Sequence, residues 1–177
     1  MIFIKILGWK IDGSLPLSFY KGIIAVAPHT SNWDFCIGFC VRSILKFQSN
    51  YLIKKELFKY KLLAWFFAKT GGVPVDRKNK KVDLVSAVVE QFNQRNKLVL
   101  AIAPEGTRSY VKQWKTGFYR IAYQAKVPIA LVYFDYKNKV VSFFEIFEPT
   151  GDMEKEIAYI KSKYIGIQGK NPEKGVY

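Results

Sequence analysis

The chain has 177 residues, half of them apolar and 24% charged, which is the balance of a globular domain with a real core rather than of a disordered chain. Its 28 Lys and Arg face 14 Asp and Glu, and the net charge of +14 points to an anionic partner: nucleic acid, phosphorylated metabolites or an anionic bilayer. No apolar run approaches the ~18 residues that span a bilayer, and Met1–Leu7 has neither the basic start nor the cleavage site of a signal peptide.

Short apolar runs alternate with helical patterns, so the sequence reads as an α/β fold: a single domain over 1–177, with a mixed, mostly parallel sheet flanked by helices. Gly22–Ala27 is a buried strand, Pro28–Ser31 its exit loop, and a helix runs from Asn32 to Lys46 with Ser31 as N-cap. Tyr51–Ile53 is a short strand, and Leu57–Lys69 is an aromatic-rich helix that Gly71-Gly72 ends. Val73–Val75 is extended, Asp83–Asn93 is helical, and Leu98–Ala103 is a second buried strand that leaves through Pro104–Arg108. Helix Thr116–Ala125 leads to strand Pro128–Phe134; Val140–Phe147 is a strand near the sheet edge, Asp152–Tyr164 a last helix, and the Lys- and Gly-containing tail is expected to be mobile.

Cys36 and Cys40 lie four apart on one expected helix, a poor geometry for a disulfide, and read as buried free thiols. Each is a nucleophile in principle, but one histidine cannot serve as both their activator and an independent base.

Two loops leaving buried strands carry the most unusual polar sequences, and ligands bind at the carboxyl ends of strands in open α/β sheets. The first contains His29, the sole histidine and hence the sole imidazole base available near neutral pH. Asp34, at the start of the next helix, can reach one ring nitrogen, fix the tautomer and leave the other nitrogen for a substrate hydroxyl. The same residues also fit a helix-capping pattern, Ser31-x-x-Asp34, in which His29 is an ordinary loop residue. Both readings stand on these residues alone.

The second loop, Pro104-Glu105-Gly106-Thr107-Arg108-Ser109, joins a small glycine, a hydroxyl and an arginine fork, a composition suited to an anion. A third segment, Gly71-Gly72-Val73-Pro74-Val75-Asp76-Arg77, delivers another arginine from a Gly-rich turn. Ordinary turn chemistry with solvated arginines explains either one by itself. Neither matches the Walker or dinucleotide glycine fingerprints.

Taken together the segments resemble the glycerolipid acyltransferase family, which includes the 1-acylglycerol-3-phosphate acyltransferases. His29-x4-Asp34 is similar to its catalytic motif, Gly72–Arg77 to its second block, Pro104–Arg108 to its third and Val127-Pro128-Ile129 to its fourth, in family order over roughly 22–132. Two positions depart from the pattern: Pro28 precedes His29 where Asn or Ser is frequent, and Leu131 stands where the fourth block carries a second proline. The resemblance implies a general base at His29 oriented by Asp34, and an acceptor-phosphate site formed by Arg77, Arg108, Thr107, Gly106 and Glu105. It implies an acyl-CoA or acyl-carrier-protein thioester as donor, a lysophospholipid such as 1-acylglycerol-3-phosphate as acceptor, and no metal or other cofactor. A lyso-aminolipid acceptor, or a catalytically idle basic membrane-binding relative, is the alternative.

A lipid acceptor requires contact with a bilayer, expected to be peripheral and on the cytoplasmic, inner face of the cell membrane. Phe58, Leu62, Trp65 and Phe66 share one face of the aromatic-rich helix, ringed by Lys54, Lys55, Lys59, Lys61 and Lys69, as in an interfacial helix. The same stripe fits the core face of a globular helix. Met1–Trp9 offers a second apolar contact. Nucleic acid is not the expected partner, because the aromatics sit inside apolar runs such as Trp65-Phe66-Phe67 instead of forming stacking platforms.

Overall fold

A computed structural model describes residues 8–75 and 83–177. In chain order the strands are β1 (Lys10–Asp12), β2 (Lys21–Val26), β3 (Asn50–Lys54), β4 (Gly72–Val75), β5 (Leu98–Ile102), β6 (Ile129–Asp135) and β7 (Val140–Phe147). The α-helices are α1 (Trp33–Ile44), α2 (Lys61–Thr70), α3 (Leu84–Asn93), α4 (Gly117–Ala125) and α5 (Met153–Ser162), with 3₁₀ turns at Lys55–Lys59 and Pro172–Lys174.

The strands form one sheet in the order β1-β7-β6-β2-β5-β3-β4. Every neighbouring pair is parallel except β6 and β7. The middle of the sheet is made of the near-continuous apolar runs β2, β5 and β6, as expected for strands covered on both faces. Alternate residues point to opposite faces. Ile23, Ala25, Leu98, Leu100, Ile129 and Leu131 pack beneath α3, α4 and α5. Ile24, Val99, Ala130 and Val132 pack with Ile37 and Val41 of α1. This two-sided core fixes three parallel strands, β5, β2 and β6, side by side with their carboxyl ends at one edge.

β7 lies near the sheet edge as expected, with only the three-residue β1 paired outside it. The structure revises other expectations. The aromatic-rich helix is two elements: a 3₁₀ turn, then α2, separated by Tyr60 in extended backbone (φ −91°, ψ 113°). Gly71 ends α2 in the left-handed region at φ 92°, where a Cβ would also meet the Ser49 carbonyl oxygen at 2.6 Å. Arg42 of α1 ties this corner together, donating to the carbonyls of Ser49 (2.8 Å) and Thr70 (2.7 Å).

The cysteines are free but not buried. Asp34, Ile37 and Val41 form the inward stripe of α1, which turns Cys36 to solvent and leaves Cys40 half-buried. The tail is also not loose. Val176 is buried, and Asn171 donates twice to Thr30, from its amide to Oγ1 (3.1 Å) and from its side chain to the carbonyl (2.7 Å). Composition suggested mobility; long-range hydrogen bonds override it.

Candidate active site

Three loops leave the carboxyl ends of the adjacent parallel strands β5, β2 and β6. The loop after β2 carries His29, the loop after β5 carries Glu105, and Tyr136 immediately follows β6. Their convergence follows from strand order alone.

His29 Nδ1 lies 2.9 Å from Asp34 Oδ2. The same oxygen accepts the backbone amides of Thr30 and Ser31, each at 3.0 Å, and Oδ1 accepts the Tyr136 hydroxyl at 2.6 Å. An oxygen that receives two amides acts as a pure acceptor, so the ring nitrogen facing it carries the hydrogen. In the neutral ring Nε2 then carries the free lone pair. Asp34 is 2% exposed while the His29 side chain keeps 23% exposure, so the carboxylate is locked and the imidazole is partly open to solvent. The helix-capping reading is partly realised in the same atoms: Asp34 takes the Ser31 amide, and Ser31 Oγ accepts from the Trp33 amide at 3.2 Å. Asn32, not Ser31, is the N-cap residue, and its side chain caps nothing.

Glu105 points inward. Its Oε1 accepts the His29 backbone amide at 3.0 Å, and the residue is 4% exposed. Burial raises its carboxyl above the usual range, partly offset by that amide. Its place is therefore under the His29 loop, whereas Gly106, Thr107 and Arg108 stand exposed on the outer turn. Gly106 has φ 66°, and a Cβ there would lie 3.0 Å from Lys115 Cγ, so the turn favours glycine. Thr107 Oγ1 accepts the Ser109 amide at 3.3 Å, shaping the same turn. Arg77 lies outside the described residues.

Leu62, Trp65 and Phe66 of α2 are exposed (78%, 61% and 42%), and Phe58 is half-buried against Phe67. α2 thus presents an apolar face to solvent instead of to the core. Among the described residues no helix is long and apolar enough to cross a membrane.

Sequence reasoning missed two supports of the pair. Tyr136 is separated from Asp34 by 102 residues, and Asn171 from Thr30 by 141. Only the parallel register of β2 with β6 could have brought Tyr136 near the His29 loop.

Residues 10–135 match the protein family described as Acyltransferase. The chain is 31% identical over 129 residues to a 1-acyl-sn-glycerol-3-phosphate acyltransferase of Saccharomyces cerevisiae, covering 69% of this chain and 41% of that protein. It is 31% identical over 123 residues to a Bacillus subtilis protein of the same name, covering 69% of this chain and 60% of that one. The chain therefore spans less than two thirds of the length of these relatives. Its fold is similar to the crystal structure of the 1-acyl-sn-glycerophosphate acyltransferase PlsC from Thermotoga maritima, with a TM-score of 0.63 and 23% identity over 90% of this chain and 71% of that one. The chain belongs to the acyltransferase family.

Proposed function

We propose that the protein transfers a fatty acyl group from an acyl-CoA or acyl-carrier-protein thioester to a free hydroxyl of a lysophospholipid, 1-acylglycerol-3-phosphate being the best candidate. The observation that carries this reading is the His29–Asp34 pair, 2.9 Å apart, with Nε2 left to face a hydroxyl. The names of the relatives support the acceptor.

Nε2 takes the proton as the acceptor oxygen attacks the thioester carbonyl carbon. A new C–O bond forms, and the carbonyl electrons move onto oxygen as a tetrahedral oxyanion. Collapse of that oxyanion breaks the C–S bond, and the imidazolium proton goes to the departing thiolate. The products are ester and thiol, with no covalent enzyme intermediate. A thiol of ordinary pKa, about 8.5, leaves without a strong acid, so the main demand is deprotonation of the alcohol. One positioned base contributes about 100- to 10,000-fold. Asp34 holds the tautomer and stabilises the imidazolium.

Arg108, with the Gly106–Thr107 turn, would hold the acceptor phosphate by charge-assisted hydrogen bonds, and Arg77 is proposed as the second arginine. The exposed face of α2, with Leu62, Trp65 and Phe66 beside Phe58, would rest on the bilayer from which a lipid acceptor comes. Net charge +14 favours an anionic leaflet, the inner face of the cell membrane. No metal or other cofactor enters this chemistry.

Thiol release from palmitoyl-CoA, measured with and without lysophosphatidic acid, tests the proposal. Release that requires the acceptor supports it. Absence of release with this donor, with an acyl carrier protein donor and with a lyso-aminolipid acceptor would contradict it and favour an idle lipid-binding relative.

A further inference from the structure

The described residues leave one strong hydrogen bond at the catalytic pair without a role: the Tyr136 hydroxyl on Asp34 Oδ1, at 2.6 Å. Asp34 is 2% exposed, and its other oxygen already receives the imidazole and two amides. Among the described residues Tyr136 is the only donor to Oδ1, so the phenol decides whether this buried oxygen is satisfied and how the carboxylate plane is turned.

The phenol itself is fixed from three sides. Asp135 caps the turn after β6, accepting the amides of Lys137 (3.0 Å) and Asn138 (3.1 Å), which sets the backbone at Tyr136. The Tyr136 amide donates to the Gln168 carbonyl at 2.8 Å, anchoring it to the C-terminal segment. Its ring meets Trp9 edge-on, 4.9 Å between centroids. Burial and the Asp34 bond push its hydroxyl well above the ordinary phenol range, so it stays a proton donor at any working pH. Tyr136 lies one residue beyond the family match, which ends at 135.

We propose that Tyr136 is a positioning residue for the reaction, acting through Asp34 to orient His29. The phenol holds Oδ1, leaving Oδ2 aimed at Nδ1, so that Nε2 keeps both its lone pair and its direction. This inference rests on His29 and Asp34 being the working pair.

The test is Tyr136→Phe, which keeps the ring against Trp9 and removes only the hydroxyl. Partners that orient metal-bound imidazoles are worth about 10- to 100-fold, and a loss of about 10-fold in kcat with KM within about twofold is expected. Because His29 is the sole histidine, the hydrogen on its Nδ1 gives one assignable ¹H–¹⁵N signal, and this signal should shift or broaden in the variant. Site-specific 3-fluorotyrosine in place of Tyr136, a better donor of nearly the same shape, should move that signal the opposite way. An unmoved signal, or an unchanged kcat in folded Tyr136→Phe, would overturn the assignment. A wild-type protein without turnover on any acceptor would count against the acyl-transfer reading instead, and the imidazole signal would then decide the role of Tyr136 alone.

Discussion

Glu105 and His29, 76 residues apart in sequence, are joined by one hydrogen bond from the His29 amide to Glu105 Oε1 at 3.0 Å. The other carboxyl oxygen, Oε2, is buried without a hydrogen-bond partner among the described residues. Burial raises this carboxyl above 4.5, so the folded protein keeps a proton that the unfolded chain has already lost. Below about pH 4.5 both states are protonated and Glu105 costs nothing; stability then falls as pH rises through the raised value. Glu105→Gln fixes the neutral form and preserves an acceptor for the amide. The melting-temperature advantage of Glu105→Gln over wild type should therefore grow from pH 4.5 upward. An advantage that stays constant with pH would contradict this account.

Asp34→Asn should disable the pair by removing the charge opposite the imidazole. The Thr30 and Ser31 amides keep the carboxamide oxygen facing Nδ1, so the tautomer is retained but the imidazolium loses its counter-charge. Turnover should fall by about 100- to 10,000-fold with little change in acceptor KM. Steady-state kinetics check it, and a fully active variant would leave Asp34 only its bonds to the Thr30 and Ser31 amides.

Arg108→Ala should act on capture more than on chemistry. Hydrogen bonds to a charged group are worth about 1.5–3 kcal/mol, so KM for a phosphate-bearing acceptor should rise about 10- to 100-fold while kcat changes less. Equal effects on phosphate-bearing and phosphate-free acceptors would remove the phosphate role.

The apolar face of α2 should govern vesicle binding. Burying a large apolar side chain is worth about 1.5–3 kcal/mol, so Leu62→Glu or Trp65→Glu should weaken binding to anionic vesicles by at least about 10-fold. Both side chains are exposed (78% and 61%), so the fold should survive. Vesicle co-sedimentation measures this, and unchanged binding would move the contact elsewhere.

How much of this was legible in the sequence depended on range. β2, β5 and β6 declared themselves as apolar runs, and their exit loops carried the informative polar residues, because strand burial and loop chemistry are both local. The break at Tyr60 has neither glycine nor proline to mark it, and β1, only three residues long, is too short to show a period. Cys36 was misplaced because its helix buries only the Asp34, Ile37 and Val41 stripe. Tyr136 and Asn171 were invisible for another reason: each acts through one hydrogen bond or two to a residue more than 100 positions away. Glu105 was legible as a member of its loop, but sequence cannot show which way a carboxyl turns, and here it turns in to the His29 amide.

The central claim is that the ring nitrogen of His29 turned away from Asp34 is the base. The most direct test is acceptor-dependent thiol release by His29→Ala, compared with wild type at matched melting temperature and vesicle binding. His29→Ala keeps the backbone amide that Glu105 accepts, so the account predicts an intact fold that binds vesicles and releases no thiol above background. Acceptor-dependent release persisting within about tenfold of wild type in a folded His29→Ala protein would contradict it, because a lost base should cost about 100-fold or more.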